Sequence, residues 1–541
     1  MGRNLVNPHD AAKMVEAAQR GEKPKTSYKP DTHLPGGAHT ITDSALELGR
    51  LMARSETYFH RGSGIVRVTH DSERVPSLEG VKASGLTSAF EKVSKLVRSR
   101  LVKGEWVDEP VTCTESCAKQ IMDCEDFKEM LPPLRLLCKC PVLIERGGRL
   151  VEIVGYDRKS GTLAYGEKSE TVSLEEARRL LNEVLDGFCF ATHADRARAM
   201  AALITPAMVF GGLLGGRAPL DLGEADKSQT GKGFRNRITA AIYGQEVLTI
   251  NQAKRGVGGM EETFDTAVSR GVNFICLDNM KGTIDSPKIE SFLREARYQA
   301  RPPYSAPIDI DPRMTLVMMT SNKADITIDL ANRASCVKLK KHSVGHQHKR
   351  YPSGDVLTHI QANQPRYLGA VFAVIRAWHA AGKPLSQDTR HDFREWLQTM
   401  DSVVQGFAGG QPIMQGHLAT LERMTNPTLN WLRDVMLLMK DCDKLGKWMR
   451  TYDIVNLMAE SDIAMPGMGE RDVYEDDQTR KRVLQATGRR LASCFRQTDE
   501  VEVDDMLATR REVYEERQSK MMKEYSFTEI VDNKELELVP F

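Results

Sequence analysis

Residues 226–234, DKSQTGKGF, have the composition of a loop that binds phosphate groups. Gly231 and Gly233 let the backbone approach phosphates closely, and Lys232 supplies a positive charge. The run APLDLGEA before the loop predicts a strand and FRNRITAAIYG after it predicts a helix, the order that such a loop requires. Two positions depart from the usual pattern, because Asp226 replaces the first glycine and Gly233 replaces the Ser or Thr that binds Mg²⁺. We expect nucleotide contacts from Gln229, Thr230, Gly231, Lys232, Gly233 and Phe234.

Three more candidate residues follow the loop, each at the end or the start of a β-like run. GVNFICLDNM places Asp278 at the end of an apolar run, where its carboxylate can hold Mg²⁺, and we expect Thr230 to be the second metal ligand. MTLVMMTSNKA brings Asn322 to a strand end, where its amide can contact the γ-phosphate. Arg333 opens the next run and can reach a neighbouring subunit's nucleotide. Asn279 can orient water but cannot accept a proton, so either the catalytic base lies elsewhere, with Glu261, Glu262 and Asp285 as candidates, or hydrolysis is slow.

The order Lys232, Asp278, Asn322, Arg333 resembles the AAA+ ATPases of the helicase superfamily 3 type. The resemblance implies the roles of Walker A lysine, Walker B aspartate, sensor 1 asparagine and arginine finger, in that order. More closely, the chain is similar to primase/helicase-like AAA+ proteins of bacterial phages, plasmids and integrative elements. This similarity covers most of the chain, including ADRARAMAALITP, TGKG, LDN, DLANR and NQPRYLGAVFAVIRAWHAAGKP. Gly233 and Asn279 match the closer family, whereas Asp226 and Gln229 are less usual even there.

The fold class that follows is α/β, with alternating strands and helices that indicate a parallel sheet. The resemblance implies an AAA+ ATPase core, ATP and Mg²⁺ as cofactors, and a homo-oligomer, expected to be a hexamer. Around that core we expect an N-terminal small α+β domain and a C-terminal helical lid followed by a winged-helix-like domain. The predicted parts are a flexible arm (1–40), the α+β domain (41–170), the AAA+ core (171–345), the lid region (346–447) and the winged-helix-like domain with its tail (448–541).

Basic side chains in three segments are candidates for contact with nucleic acid, expected to be single-stranded or forked DNA. The first segment lies between the predicted Walker B strand and sensor 1, and the alternative for it is a solvated helix face. The second segment lies before the predicted Walker B strand. The third lies in the winged-helix-like region, where outward-facing arginines are also common without DNA. The candidates are Arg294, Arg297, Arg301, Lys254, Arg255, Arg489 and Arg490.

Composition limits the remaining classes of function. The net charge of the 541 residues is only +1, so contact with nucleic acid must come from local basic patches. No apolar run approaches the roughly 18 to 20 residues that span a bilayer, and the first residues lack the core of a signal peptide. We therefore expect a cytoplasmic protein without membrane contact.

Clusters of cysteine and histidine leave metal sites open. The ten cysteines are too scattered for a disulfide framework and predict reduced core residues. The denser group between Cys113 and Cys140 can supply a zinc site, but its spacing fits no standard finger and LCKCPVLI predicts a strand. The segment KKHSVGHQHKR predicts a basic surface loop, with a metal site at His342, His346 and His348 as the alternative.

Taken together, these features predict an ATP-dependent DNA helicase or translocase that acts in replication of a mobile genetic element, with replication or mobile-element proteins as partners. ATP would be hydrolysed at the subunit interfaces of a ring. The alternative is an AAA+ assembly or anti-phage defence module that binds a protein partner without translocation, which would account for Asn279 and for the net charge near zero. A nucleotide-binding scaffold without turnover is the third hypothesis. Stimulation of the ATPase by DNA distinguishes the first two hypotheses.

Overall fold

The computed structural model describes most of the chain and divides it into two units. The first unit comprises Met1–Leu137, Gly155–Leu163 and Tyr304–Ile310, and the rest of the chain forms the second. The described residues are 29–72, 75–225, 229–251, 259–280, 283–303, 307–322, 325–343, 345–461, 463–468, 477–495, 498–515 and 520–530.

Strands and helices alternate along much of the described chain. The strands are β1 (Asp31–His33), β2 (Tyr58–Arg61), β3 (Gly64–His70), β4 (Pro76–Gly80), β5 (Lys95–Val102), β6 (Glu105–Pro110), β7 (Leu136–Cys138), β8 (Val142–Arg146), β9 (Arg149–Ile153), β10 (Gly155–Asp157), β11 (Thr162–Ala164), β12 (Leu220–Ala225), β13 (Leu248–Asn251), β14 (Phe274–Met280), β15 (Thr283–Ile284), β16 (Tyr298–Ala300), β17 (Ile308–Ile310), β18 (Leu316–Ser321), β19 (Asp325–Ile326), β20 (Ala334–Leu339), β21 (Met449–Arg450), β22 (Glu500–Val503), β23 (Met506–Glu515) and β24 (Lys520–Glu529). The helices are α1 (Ile41–Ala53), α2 (Ala83–Val93), α3 (Glu115–Asp123), α4 (Glu125–Met130), α5 (Leu174–Leu185), α6 (His193–Phe210), α7 (Lys232–Ile242), α8 (Met260–Ser269), α9 (Pro287–Arg294), α10 (Ile328–Ala331), α11 (Val356–Ala362), α12 (Gln364–Ala380), α13 (Arg394–Val403), α14 (His417–Thr425), α15 (Pro427–Asp441), α16 (Thr451–Ala459) and α17 (Asp477–Cys494).

In the first unit, helices α1 to α4 share one apolar core with neighbouring strands, and this core includes Leu48, Phe90 and Phe127. Helix α1 begins after Thr40, whose hydroxyl accepts from the Asp43 N–H while the Asp43 carboxylate accepts from the Thr40 N–H. Regular structure is present before the predicted boundary at residue 41, because β1 pairs in parallel with β5. Residues 31–33 therefore belong to a sheet rather than to a flexible arm.

The second unit is built around a five-stranded sheet with the order β13-β14-β18-β12-β20. Every pair of neighbours in this sheet is parallel, which confirms the α/β class. All six residues of β18 are buried, as expected for a parallel strand that is covered on both faces. Because the strands are parallel, their carboxyl ends share one edge of the sheet, and β18 lies between β12 and β14.

The chain after this sheet is helical and then forms a small antiparallel sheet. Helices α11 to α15 lie within the segment predicted as a lid, and β21 to β24 form a sheet with the order β21-β24-β23-β22. The core of this last part joins Trp431 and Met436 of α15 to Leu491 of α17 and Phe527 of β24. Among the described residues, no helix combines the length and apolar character needed to cross a membrane.

The cysteine-rich stretch does not form the continuous strand predicted for LCKCPVLI. Strand β7 ends at Cys138 and β8 begins only at Val142, because Pro141 between them has no N–H to donate to a strand partner. The Cys138 and Cys140 sulfur atoms are buried and lie 3.5 Å apart. Within the described ranges, no three of the cysteines come close enough together to hold a metal ion.

Candidate nucleotide-binding site

The predicted phosphate loop follows β12 and leads directly into α7, which begins at Lys232. Gln229 and Gly231 have left-handed backbone, with φ of 62° and 91°. This conformation costs about 1 kcal/mol or more for a residue other than glycine, so the loop carries local strain at Gln229. A β-carbon at Gly231 would also lie 3.2 Å from the ring of Phe188. Residues 226–228, which include Asp226, lie outside the described residues.

The first turn of α7 is open towards the loop. No side chain among the described residues caps this helix, and its first turn contains no acidic residue. The free N–H groups and the helix dipole therefore favour an anion at this end, where the half-buried Lys232 adds a full charge. Gly233 is exposed, and nothing lies within 4 Å of a β-carbon placed on it. The ring of Phe234 is 6.3 Å from that of Phe188.

Thr230 is buried, and its hydroxyl has no hydrogen-bond partner among the described residues. Buried polar atoms are nearly always satisfied in folded proteins, and an exception is explained by an ion, a water or a ligand. The position of this hydroxyl, two residues before Lys232, is compatible with its predicted contact to a metal ion or a phosphate.

Lys232, Asn322 and Asp278 converge at the carboxyl edge of the sheet. The Lys232 ammonium donates to Asn322 Oδ1 at 2.6 Å, and Asn322 directly follows β18. Burial lowers the pKa of Lys232 below its ordinary value, while the negative charges of Asp278 and Glu224 oppose that shift. Lys232 at the start of α7 is thus hydrogen-bonded to Asn322 after β18 and lies within electrostatic reach of Asp278 on β14.

A β-bulge places Asp278 at this edge. Leu277 pairs with Met319 and Met280 pairs with Ser321, so β14 holds one more residue than β18 across this interval. Bulges of this kind change the direction of a side chain and are common next to functional sites. The Thr320 hydroxyl donates to Asp278 Oδ1, which fixes the carboxylate. Asp278 and Asn279 together lie opposite the single residue Thr320. The side chain of Asn279 lies outside the described residues.

Two contacts that the sequence did not predict hold α7 in place. The buried Arg235 guanidinium donates to both carboxylate oxygens of Asp221 on β12, at 2.7 and 3.0 Å. The Asn236 amide reaches Cys276 Sγ on β14 at 3.4 Å. These contacts anchor the helix to the strands before and after the loop, so the position of Lys232 is set by a rigid support. No spacing rule signals them, because each partner is an ordinary polar residue in a strand or a helix.

A buried ionic network begins on the strand that leads into the loop. Glu224, which is fully buried, accepts from Arg423 of α14. The Arg423 Nε lies 3.3 Å from Asp504 Oδ1, Arg433 Nε donates to Asp504 Oδ2 at 2.7 Å, and Lys338 also donates to Asp504. Burial alone would raise the pKa of Glu224 and of Asp504, but the surrounding cations lower both below their ordinary values.

Replacing Arg423 with alanine is expected to lower the free energy of unfolding by about 3–5 kcal/mol, because Glu224 would be left as a buried charge without its closest partner. Urea denaturation of the nucleotide-free protein measures the effect. Arg390→Ala is the matched control, since Arg390 is exposed and paired with Asp388, and such pairs contribute less than about 1 kcal/mol. A loss in Arg423→Ala no larger than in the control would contradict the network.

The free energy of unfolding should also depend on pH through Glu224 and Asp504. The pKa of each carboxyl is lower in the folded protein than in the unfolded chain, so their contribution to stability is present above the ordinary carboxyl pKa and is lost as pH falls through the lowered values.

Arg333 lies at the amino-terminal ends of the strands, whereas Lys232, Asn322 and Asp278 lie at their carboxyl-terminal ends. It directly precedes β20, and its carbonyl accepts from the Leu220 N–H at the amino end of β12. Its guanidinium contacts Asp329, with 3.5 Å between Nη1 and Oδ1. The structure therefore separates Arg333 from Lys232, Asn322 and Asp278 of the same chain.

The three arginines predicted near a pore are exposed. Helix α9 ends at Arg294, whose guanidinium is paired with Glu295 at 2.9 Å. Arg297 and Arg301 flank the short strand β16 instead of continuing a helical face. The Arg301 backbone N–H donates to Asp265 at 3.1 Å, while its guanidinium donates to the exposed Gln299 at 3.0 Å. Lys254 and Arg255, the second predicted pore segment, lie outside the described residues.

The two arginines predicted to read DNA in the C-terminal part differ in exposure. Arg489 of α17 is exposed. The Arg490 guanidinium donates to the Pro427 carbonyl at 2.8 Å and lies 5.1 Å over the Trp431 ring. Arg490 thus packs against α15, whereas the exposed Arg489 donates through Nε to the Gln485 carbonyl of its own helix at 3.3 Å.

Comparisons with known proteins give weak structural likenesses. No family model matches the chain, and no curated protein matches it. Among solved structures, it is similar to the apo A form of the NrS-1 C-terminal region, with a TM-score of 0.35, 9% identity, and coverage of 89% of this chain and 99% of that chain. A second structure of that region has a TM-score of 0.33 and 11% identity, and the match covers 82% of this chain and 86% of that chain. SCCmec type IV Cch, described as an active helicase, has a TM-score of 0.30 and 10% identity, and the match covers 83% of this chain and 81% of that chain. At these TM-scores and identities, the assignment of a function rests on the site alone.

Proposed function

We propose that this protein is an ATP-hydrolysing AAA+ enzyme of the helicase superfamily 3 type. The observation that carries the proposal is the convergence of Lys232, Asn322 and Asp278 at one sheet edge, next to the open amino terminus of α7. A lysine at a helix start, together with an amide and a carboxylate on neighbouring strands, supplies the groups that phosphoryl transfer from ATP requires.

The residues present fit ATP and a magnesium ion. Lys232 and the first N–H groups of α7 would bind the phosphates, and Asn322 would contact the γ-phosphate or the attacking water. Asp278 and Thr230 would hold Mg²⁺, which neutralises charge on the phosphate oxygens when bound. This fits the unpartnered Thr230 hydroxyl and the Asp278 carboxylate, of which only Oδ1 accepts a hydrogen bond from a described residue. Thr320 would keep that carboxylate oriented.

The location of Arg333 supports a ring in which each nucleotide is completed by a neighbouring subunit. Arg333 cannot join the site of its own chain, because it lies at the amino end of β20 while the site lies at the carboxyl edge. An arginine that acts in trans stabilises the charge of the transition state. We propose a homo-oligomer, with six subunits as implied by the resemblance to AAA+ helicases.

DNA is the proposed substrate of this motor, in replication of a mobile genetic element. Arg297 and Arg301 are exposed on both sides of β16, and Arg489 is exposed on α17. Exposed arginines of this kind supply the sequence-independent attraction to phosphates that a translocase uses.

The decisive experiment compares ATP hydrolysis with and without single-stranded and forked DNA. We expect DNA to stimulate the wild-type rate, and the double change Arg297→Ala and Arg301→Ala to abolish most of the stimulation and to reduce the salt slope of binding by about two. Basal hydrolysis should persist, since neither arginine lies at the nucleotide site. Arg390→Ala serves as the control for loss of an exposed arginine. A rate that ignores both DNA forms would refute the helicase function and support an assembly or defence module.

A further inference from the structure

A cluster of three histidines lies on the segment after β20, apart from the catalytic residues proposed above. One nitrogen from each of His342, His346 and His348 lies within 4.8 Å of the others. In the part of the chain that the structure describes, no other set of three ligating side chains comes this close. The ring centroids are 3.8 Å apart for His342 and His346, and 5.2 and 4.9 Å from each of these to His348.

A tight turn brings the first two rings together. The Ser343 carbonyl accepts from the His346 N–H at 3.1 Å, and Gly345 has a φ of 90°. A hydrogen bond of this span with a left-handed third residue is typical of a turn that needs glycine at that position. The turn reverses the chain so that His342 and His346 face each other with an interplanar angle of 10°. The pattern H-x-x-x-H-x-H therefore brings three nitrogen donors together within the predicted basic surface loop.

One ligand already has the outer contact that metal-binding histidines usually show. His342 Nε2 lies 3.0 Å from the Gly187 carbonyl, which can only accept, so Nε2 carries the proton. This tautomer leaves Nδ1 with its lone pair available to a metal ion. Contacts of the non-ligating nitrogen with a backbone carbonyl fix ring orientation and increase ligand basicity.

We propose that His342, His346 and His348 bind a divalent transition-metal ion, with Zn²⁺ as the first choice. All three donors are imidazole nitrogens, which suit Zn²⁺, Ni²⁺ and Cu²⁺, whereas Mg²⁺ and Ca²⁺ prefer oxygen ligands. In a tetrahedral zinc site, bonds of about 2.0–2.1 Å place neighbouring nitrogens roughly 3.3 Å apart. Metal binding would require the exposed His346 and His348 side chains to move to that spacing. The fourth position would hold water.

The surrounding charges are compatible with such an ion. Four basic residues flank the cluster, but Lys340 is paired with Asp505 at 2.8 Å and Lys349 is paired with Glu183. Two of the four positive charges are thus compensated by carboxylates. The bound ion would tie the segment after β20 to itself, and His342 of this segment already contacts the Gly187 carbonyl.

The experiment uses the full-length, untagged protein, stripped with a chelator and then dialysed against Zn²⁺. We expect one zinc ion per chain by elemental analysis, and a loss of at least about 100-fold in affinity in the double variant His346→Ala and His348→Ala. Both side chains are exposed, so this variant should fold, which circular dichroism in the presence of chelator verifies. His70→Ala, which removes an exposed histidine of the first unit, is the matched control and should keep the zinc.

A second readout reports the ligand set directly. Co²⁺ in place of Zn²⁺ should give the intense visible absorption of a four- or five-coordinate nitrogen site in the wild type and in His70→Ala. Addition of Zn²⁺ should raise the Tm of these two proteins and leave the double variant unchanged. The proposal is overturned if the wild type binds no more zinc than the double variant, or if Co²⁺ gives only the weak spectrum of a six-coordinate ion. Neither readout depends on ATP hydrolysis, so the outcome is independent of the proposed function.

Discussion

Replacing Lys232 with methionine is expected to lower the ATPase rate by about 1,000-fold without unfolding the protein. The ammonium donates to Asn322 Oδ1 at the carboxyl ends of the strands, and methionine keeps much of the side-chain length while removing the charge. Phosphate release measures the rate, and thermal stabilisation by an ATP analogue measures binding. We expect both to be lost. Lys383→Ala, which removes an exposed lysine paired with Glu145, should behave as wild type in both assays.

The stability of Lys232→Met distinguishes a catalytic lysine from a structural one, because loss of a structural lysine would lower the Tm. Burial lowers the pKa of Lys232 below its ordinary 10.5, so the unfolded chain binds this proton more tightly than the folded protein does. The charged lysine is therefore unfavourable for folding at neutral pH, and the stability due to it rises as pH increases through the lowered pKa towards 10.5. Lys232→Met should have a Tm at pH 7 no lower than that of the wild type. A clearly lower Tm, together with residual hydrolysis, would contradict a catalytic role.

Replacing Arg333 with alanine is expected to reduce ATP hydrolysis by about 1,000-fold or more, with nucleotide binding unchanged. The reason is positional, since Arg333 lies at the amino ends of the strands, away from Lys232, and its proposed role is on the nucleotide of a neighbouring subunit. Arg313 gives a matched control, because it precedes β18 and is paired with Asp311 at 2.8 Å. Arg313→Ala should retain most of the activity.

Mixing two inactive variants tests whether Arg333 acts between subunits. In mixed rings of Lys232→Met and Arg333→Ala chains, some interfaces combine an intact Lys232 with an intact Arg333. Activity should therefore reappear at these interfaces, in proportion to their frequency. A mixture as inactive as its components, although the chains co-assemble, would show that Arg333 does not act in trans.

The strands that carry the site were predictable from the sequence because each is a β-like run with a polar candidate residue or the glycine-rich loop next to it. β12, β14, β18 and β20 and helix α7 all lie where these runs predicted them. Their parallel arrangement brings Asp278 and Asn322 to one edge, as the alternation of strands and helices implied. The roles of these residues stay predictions until the enzyme assays are done.

Other parts of the site could not be predicted because their partners are distant in the chain. Glu224 and Arg423 are 199 residues apart, and the alternation of polar and apolar residues gives no sign of their contact. Thr320 looks like any β-branched strand residue until its hydroxyl is seen to donate to Asp278. Strand β1 was missed for a related reason, since its three residues have no strand pattern of their own and depend on pairing with β5.

The ionic network has a consequence for the order in which the chain is synthesised. Glu224 is made first, its partner Arg423 follows 199 residues later, and Asp504 comes 71 residues after Arg433. A nascent chain or a fragment that ends before residue 504 would contain Arg423, Arg433 and Lys338 without the second carboxylate that offsets them. The nucleotide core should therefore reach its full stability only after the C-terminal sheet has emerged from the ribosome. Fragments cut between the predicted lid and the winged-helix-like domain are expected to be prone to aggregation.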